Sequence, residues 1–344
     1  MRLSAALLAF ASTALLSVQV HAEPITFVTD GGAYVDAQKK ALIEPAAQRL
    51  GLEIHAEGAD EMIAGIKAQM QGGNVYWDIV EVGPDDCVAG TQQGLFEPLD
   101  YSKIPNAADL PAEFRKPNSL GYIGYSTVLA YNKKKYGDNP PQTWADFWDV
   151  KKFPGRRSLR GKAYVMLELA LLADGVPHDK VYPVDVDRAY KKLEALKPDV
   201  TAWWSSGAQS AQLIADGEVD MIAIWNGRVS GAMKANPDIG YTFNEAIYQN
   251  TCLVVPKGSK HKEEAFKVIN EMLSPDLQAD IPKYIAYGPA NPKAYTLGKI
   301  ADDVKSTLPS APENYAKQVL IGADWWASDA GAKATERWLS FVQQ

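Results

Sequence analysis

Beyond residue 22 the apolar positions follow two periods in turn. Short β-rich runs at 25–28, 52–54 and 78–82 are separated by stretches, 34–50 and 60–71, whose apolar residues recur at helical spacing. Gly51 and Gly72-Gly73 close those stretches, as glycine does where a helix ends in a left-handed residue. Strand, helix, strand, helix, strand predicts a parallel sheet covered by helices. Further along, 122–131 reads as a longer strand and 143–148 as a short helix. A basic loop from Arg156 leads into an apolar helix over 164–172, ended by Asp174-Gly175. Helices are expected over 187–196, 208–215 and 262–273, strands over 221–225 and 251–256, and a helical, Trp-rich C-terminus. There are no repeats and no Pro/Gly/Ser linker. Two domains without a linker imply that the chain crosses between them more than once, most simply along 122–131 and 251–256, and strand hinges of this kind permit closure around a ligand.

The chain has 344 residues, 47% hydrophobic and 22% charged, which is enough for two domains with proper cores. Thirty-five basic against 42 acidic residues give a charge of −7, which excludes a sequence-independent grip on nucleic acid. Arg2, the Ala/Leu/Val/Ser-rich stretch 3–20 and Val20-His21-Ala22 read as a cleavable secretory signal, cut near Ala22-Glu23, with no cysteine after it to carry a lipid. The mature chain would hold about 322 residues. Cys87 and Cys252 are the only cysteines; in an oxidising compartment they either pair or stay buried as free thiols. Three histidines beyond residue 22, far apart in sequence, are too few for zinc chemistry.

Motifs for catalysis are missing. There is no Gly-x-Ser-x-Gly elbow and no Gly-x-Gly-x-x-Gly fingerprint. Gly155 to Gly161 resembles a phosphate loop but has five intervening residues, and Ala163 stands where Ser or Thr would hold magnesium. No cofactor, metal or catalytic residue is expected. Asp85-Asp86 reads either as paired carboxylates or as acids favoured in a helix's first turn.

Ligand-binding groups are better represented. In α/β proteins ligands sit where strands end, and three such places stand out: Asp30-Gly31-Gly32, Gly83-Pro84-Asp85-Asp86 and Trp225-Asn226-Gly227-Arg228. The run Arg156-Arg157-Ser158-Leu159-Arg160-Gly161-Lys162 precedes a helix, whose positive end makes cations costly unless an anion sits among them. It reads as a carboxylate clamp or as a solvated turn. Trp203 and Trp204 should face opposite sides of a strand, so one of them is expected to leave its core and line a cleft.

Thr143-Trp144-Ala145-Asp146-Phe147-Trp148, Trp225-Asn226-Gly227, Val254-Val255-Pro256 and Tyr287-Gly288-Pro289-Ala290-Asn291-Pro292 recur in this order in periplasmic solute-binding proteins of ABC importers. Asp78-Ile79-Val80 and Gly94-Leu95-Phe96-Glu97-Pro98-Leu99 fit as well. The chain resembles the spermidine/putrescine-binding branch of that family (extracellular solute-binding family 1) over its whole mature length. The resemblance implies an α/β, two-lobed periplasmic-binding-protein fold of type II, each lobe a mixed sheet flanked by helices, with a crossing-strand hinge. It places lobe one at 23–127 plus 252–300 and lobe two at 128–251 plus 301–344. It further implies a monomer, a periplasmic location, an inner-membrane ABC permease with its ATPase as partner, and a disulfide between Cys87 and Cys252.

Where polyamine-binding relatives place acids, the corresponding positions here look like Arg160-Gly161-Lys162 and Gln249-Asn250-Thr251. A fully cationic ligand would lack partners, which is costly when buried. The expected solute is therefore a small zwitterion or carboxylate such as an ω-amino acid, its acid end at Arg157, Arg160 or Arg228 and its amine near Asp30, Asp85 or Asp86. The full candidate set is Asp30, Gly32, Asp85 and Tyr287 from lobe one, Arg160, Trp204, Trp225 and Arg228 from lobe two, and Tyr248 and Thr251 at the junction. Alternatives are a true polyamine-binding protein, a ligand sensor for a membrane receptor, and a secreted hydrolase using the Asp pair.

Overall fold

The computed structural model describes residues 23–59 and 61–343. The signal expected over 1–22, the helix start expected at Asp60 and the terminal Gln344 lie outside them. Among the described residues eleven strands form one sheet: β1 (Ile25–Thr29), β2 (Ile54–Gly58), β3 (Ile79–Val82), β4 (Arg115–Lys116), β5 (Ser119–Asn132), β6 (Arg157–Arg160), β7 (Val200–Trp204), β8 (Met221–Trp225), β9 (Ile239–Val254), β10 (Gly288–Pro289) and β11 (Val319–Leu320). The order is β2-β1-β3-β9-β5-β8-β6-β7, with β4 and β10 on β5 and β11 on β9.

The expected parallel start is present: β1 pairs in parallel with β2 and β3. At the other end β6 pairs in parallel with β7 and β8. Between them run β5 and β9, 14 and 16 residues long and antiparallel to each other. At about 3.3 Å per residue each spans roughly 45–55 Å, far beyond an ordinary strand, because each serves both ends of the sheet. β9 pairs with β3 through Val80–Val254 and with β5 out to Asn132–Ile239. The expected crossing at 251–256 is thus only the last part of a strand that begins at Ile239. The β5–β9 register slips between Gly121 and Gly124 and again between Thr127 and Leu129, so the ladder bends where the two ends of the sheet meet.

Each end has its own pair of apolar cores. Phe27, Ile79 and Leu253 point into one, Val28, Val80 and Val254 into another, on opposite faces of the first end. At the second end Leu159, Met221 and Ala223 enter one core, and Ile222, Ile224 and Trp204 the other. Burial on both faces is why strands such as Met221–Trp225 are apolar throughout.

Two local details depart from expectation. The helical stretch 33–50 is continuous but widens into a π-type turn over Lys39–Ile43, just before Pro45. Proline has no N–H for the i−4 carbonyl and its ring crowds that carbonyl, so the ladder is spaced out there. The basic segment expected as a loop is instead the central strand β6, and the helix after it runs over Met166–Ala173.

Candidate functional site

β1 ends in Asp30-Gly31-Gly32, and Gly32 adopts φ 72° to open the helix Ala33–Gln38. A side chain would be strained in that left-handed turn. The buried Tyr34 hydroxyl of this helix donates to Glu81 Oε1 at 2.6 Å, and Gln38 Nε2 donates to Glu81 Oε2 at 2.7 Å. The Thr29 and Thr251 hydroxyls also donate to Glu81. This single carboxylate therefore joins β1, β3, the first helix and the hinge strand β9. Burial pushes its pKa up against the pull of its four donors.

β3 leads through Gly83 into the helix Pro84–Gln92, with Asp85 and Asp86 in its first turn. Burial raises the Asp85 carboxyl, while the helix-start N–H groups and the charges of Arg160 and Lys162 lower it. Asp86 is raised to about 6, by burial first and then by the neighbouring Asp85 and Glu61. The acids favour the helix start, and they face cations from the other end of the sheet.

That opposite wall is built by the ends of β6 and β8. The Arg160 guanidinium lies 5.0 Å from the Trp225 ring and 5.6 Å from the Trp204 ring, within the range of cation–π attraction. Trp225 precedes the helix Asn226–Ala235, whose first turn carries Arg228. Arg160 Nε, Arg228 Nε and the Tyr164 hydroxyl are buried and have no hydrogen-bond partner among the described residues.

The walls are in contact. Tyr287 packs edge-on to Tyr34 at 5.6 Å and against Tyr125 at 5.8 Å, and Tyr125 meets Trp225 at 6.2 Å. A Cβ added to Gly227 would fall 2.4 Å from the Tyr287 ring, so only glycine allows this approach. The Asn226 side chain accepts from the Ser126 N–H at 2.9 Å and donates to the Ala286 carbonyl. The arrangement is shut. Acids stand on one side, guanidinium and indole on the other, which suits a solute carrying both charges. Among the described residues no group of three His, Cys, Asp or Glu side chains could hold a metal.

The model of the bacterial extracellular solute-binding protein family matches residues 41–309. The chain belongs to this family. It is 36% identical to the gamma-aminobutyric acid-binding protein of Pseudomonas aeruginosa, over 98% of this chain and 94% of that one. An ABC transporter substrate-binding protein from Bradyrhizobium japonicum USDA 110 superposes with a TM-score of 0.90 at 50% identity, covering 92% of this chain and 99% of that one. The PBP MotA of A. tumefaciens B6, solved with glucopine, gives 0.83 at 41% identity, covering 92% and 98%. The fold is the two-lobed α/β binding-protein fold, and the role is that of an ABC solute-binding component, which is not an enzyme.

Within this solute-binding fold the expected residues divide. Asp30, Gly32, Asp85 and Tyr287 lie on one wall, and Arg160, Trp225 and Arg228 on the other; Asp30 acts electrostatically on Tyr125 and Tyr287. Trp204 is fully buried, its indole N–H donating to the Ala223 carbonyl at 2.9 Å, so it backs Arg160 and Trp225 from behind. Neither Trp203 nor Trp204 leaves a core, because both faces of this end of the sheet are covered: Trp203 packs on Trp338 and Phe341.

Arg157 is not part of a clamp. It is fully buried and donates to the carbonyls of Phe147 at 2.7 Å and Phe153 at 2.6 Å. Tyr248 packs edge-on to Tyr315 and accepts from Asn250, on the face of β9 opposite Gln249 and Thr251, as strand alternation requires. Thr251 reaches Glu81. Cys87 and Cys252 form the expected disulfide, 165 residues apart. Tyr125, Tyr164 and Glu81 escaped the sequence reading. Only Glu81 carries a signal there, as the lone acid in an apolar strand.

Proposed function

We propose that this protein is the periplasmic receptor of an ABC importer for a small ω-amino acid, with gamma-aminobutyrate as reference ligand. The observation that carries the reading is the electrostatic opposition of Arg160 to Asp85 and of Lys162 to Asp86, with Arg228 beside Tyr287 and the buried Nε atoms of both arginines without a partner among the described residues. The ligand carboxylate lies between the two guanidiniums and the start of the helix Asn226–Ala235, where unpaired N–H groups favour an anion. Its ammonium lies against Asp85 and Asp86, with Tyr125, Tyr164 and Tyr287 around the methylene chain. A diamine would leave the guanidiniums unsatisfied and add like charge, so putrescine is disfavoured.

Each charged end binds a different lobe, so the solute favours the closed form by the affinity that only this form offers. The separate cores favour lobes at 23–127 plus 252–300 and 128–251 plus 301–344, except that a smaller core joins Ala279, Ala294 and Ile300 to Leu308 and Ala311, which keeps the chain up to 311 with lobe one. The mature protein would act as a monomer, exported by its signal and delivering solute to an inner-membrane permease and its ATPase. Glucopine is the second reading, favoured by the 41% identity to MotA. Calorimetry of the exported protein with gamma-aminobutyrate, glucopine and putrescine decides among them. Tight putrescine binding with no heat from gamma-aminobutyrate overturns the proposal.

A further inference from the structure

A second cavity, of about 570 Å³, opens beside the hinge, within the size range of small-molecule sites. One wall is the helix Pro84–Gln92, through Pro84, Cys87, Val88 and Thr91. These positions recur at i, i+3, i+4 and i+7 and form one face, from which Asp85 and Asp86 are excluded. Asn250 and Cys252 form the floor, on the face of β9 turned away from Gln249 and Thr251. The last wall is the segment 320–324. Cys87 belongs to an apolar core of the first end of the sheet, whereas Ile321 belongs to a core of the second. The cavity is thus walled from both ends and is separate from the acid–guanidinium cleft.

Its lining indicates what would fit. Phe114, Pro84, Pro117, Val88, Ile321 and the disulfide supply apolar surface. The charged lining residues, Glu113, Lys116 and Asp324, are exposed and of mixed sign, so they belong to the rim. The floor amide of Asn250 is already engaged by the Tyr122 N–H at 2.7 Å and by the Tyr248 hydroxyl. With no buried charge among the lining residues to receive an ion, desolvating one there would go uncompensated.

We propose that this cavity is a second binding site, for a small uncharged and largely apolar molecule, coupled to the solute cleft. The coupling rests on the two-lobed closure proposed above. The walls contributed by 84–91 and 320–324 keep their spacing only while the lobes are shut, so an occupant favours closure and strengthens solute binding. By linkage the solute strengthens the occupant's binding by the same factor.

The test uses the fluorescent neutral amine N-phenyl-1-naphthylamine with the full mature protein. Saturable binding is expected, at least fivefold tighter with gamma-aminobutyrate present, with an equal gain in gamma-aminobutyrate affinity when the probe saturates. Val88→Trp and, independently, Ala323→Trp fill the cavity and should weaken probe binding at least tenfold. Their gamma-aminobutyrate affinity should no longer respond to added probe. Non-saturable fluorescence, full probe binding by both variants, competition between probe and gamma-aminobutyrate, or zero linkage overturns the proposal. If gamma-aminobutyrate does not bind at all, the solute reading fails, while probe binding and its loss in the variants still decide whether the cavity is a site.

Discussion

Replacing Gly227 by alanine should weaken solute binding without weakening the fold. The new Cβ would sit 2.4 Å from the Tyr287 ring, where ordinary contact begins at 3.4 Å, so ring and helix start must separate by roughly 1 Å. Tyr287 cannot simply swing away, because it is buried between Tyr34 and Tyr125. The strain falls on the closed form, at about 1–3 kcal/mol for an overpacked contact, which corresponds to a loss in affinity of roughly 5- to 150-fold. An open form does not bear it. Alanine is also the better helix residue by up to about 1 kcal/mol, and position 227 lies inside the helix Asn226–Ala235. Ligand-free Tm should therefore hold or rise while the Kd measured by calorimetry increases. Affinity within twofold of the parent, or a ligand-free Tm that falls in step with affinity, would refute closure through this contact.

Glu168 is fully buried, accepts from the Tyr182 hydroxyl and the Trp326 indole at 2.6 Å each, and has its pKa pushed by burial to about 7. A folded-state pKa above the unfolded 4.5 means that its contribution is complete below pH 4.5 and is lost as pH rises through 7. The gap is worth roughly 3 kcal/mol, and Glu168→Gln should flatten this part of a stability-versus-pH curve measured by urea unfolding. At the cleft, Asp86, raised to about 6, gains charge as pH rises. Gamma-aminobutyrate affinity should then drop roughly tenfold from pH 7 to pH 5, and calorimetry of Asp86→Asn should show weaker binding with little pH dependence. Arg157→Met strips the buried Phe147 and Phe153 carbonyls of their donors. At about 1–3 kcal/mol for each group left unpaired, denaturant titration should show a loss of several kcal/mol, with gamma-aminobutyrate affinity of the folded protein unchanged.

The parts legible in the sequence are those fixed by local pattern. Strands buried on both faces are apolar throughout, so β1, β3 and β8 are readable, and the glycine-closed helices between them follow. Strand ends are where α/β sheets place ligands, so Asp30, Asp85, Trp225 and Arg228 could be picked out one by one. The first three quarters of β9 are not readable: Ile239 to Asn250 mixes polar and apolar residues, and only its pairing with β5 makes it a strand. Arg157 and Arg160 look equivalent in sequence, yet alternation along a central strand sends one guanidinium into backbone carbonyls and the other toward the cleft. Tyr125 and Tyr164 become candidates only once the lobes meet, because nothing local fixes where their rings point. Trp203 and Trp204 misled for a related reason: the alternation was right, but a sheet end covered on both faces gives each indole a core.

A crystal structure with gamma-aminobutyrate tests the central claim most directly. The account predicts its carboxylate within hydrogen-bond reach of Arg160 and Arg228 and its ammonium against Asp85 or Asp86, with Tyr287 still packed over Gly227. A carboxylate turned toward the aspartates, or a solute held by one lobe alone, would contradict it.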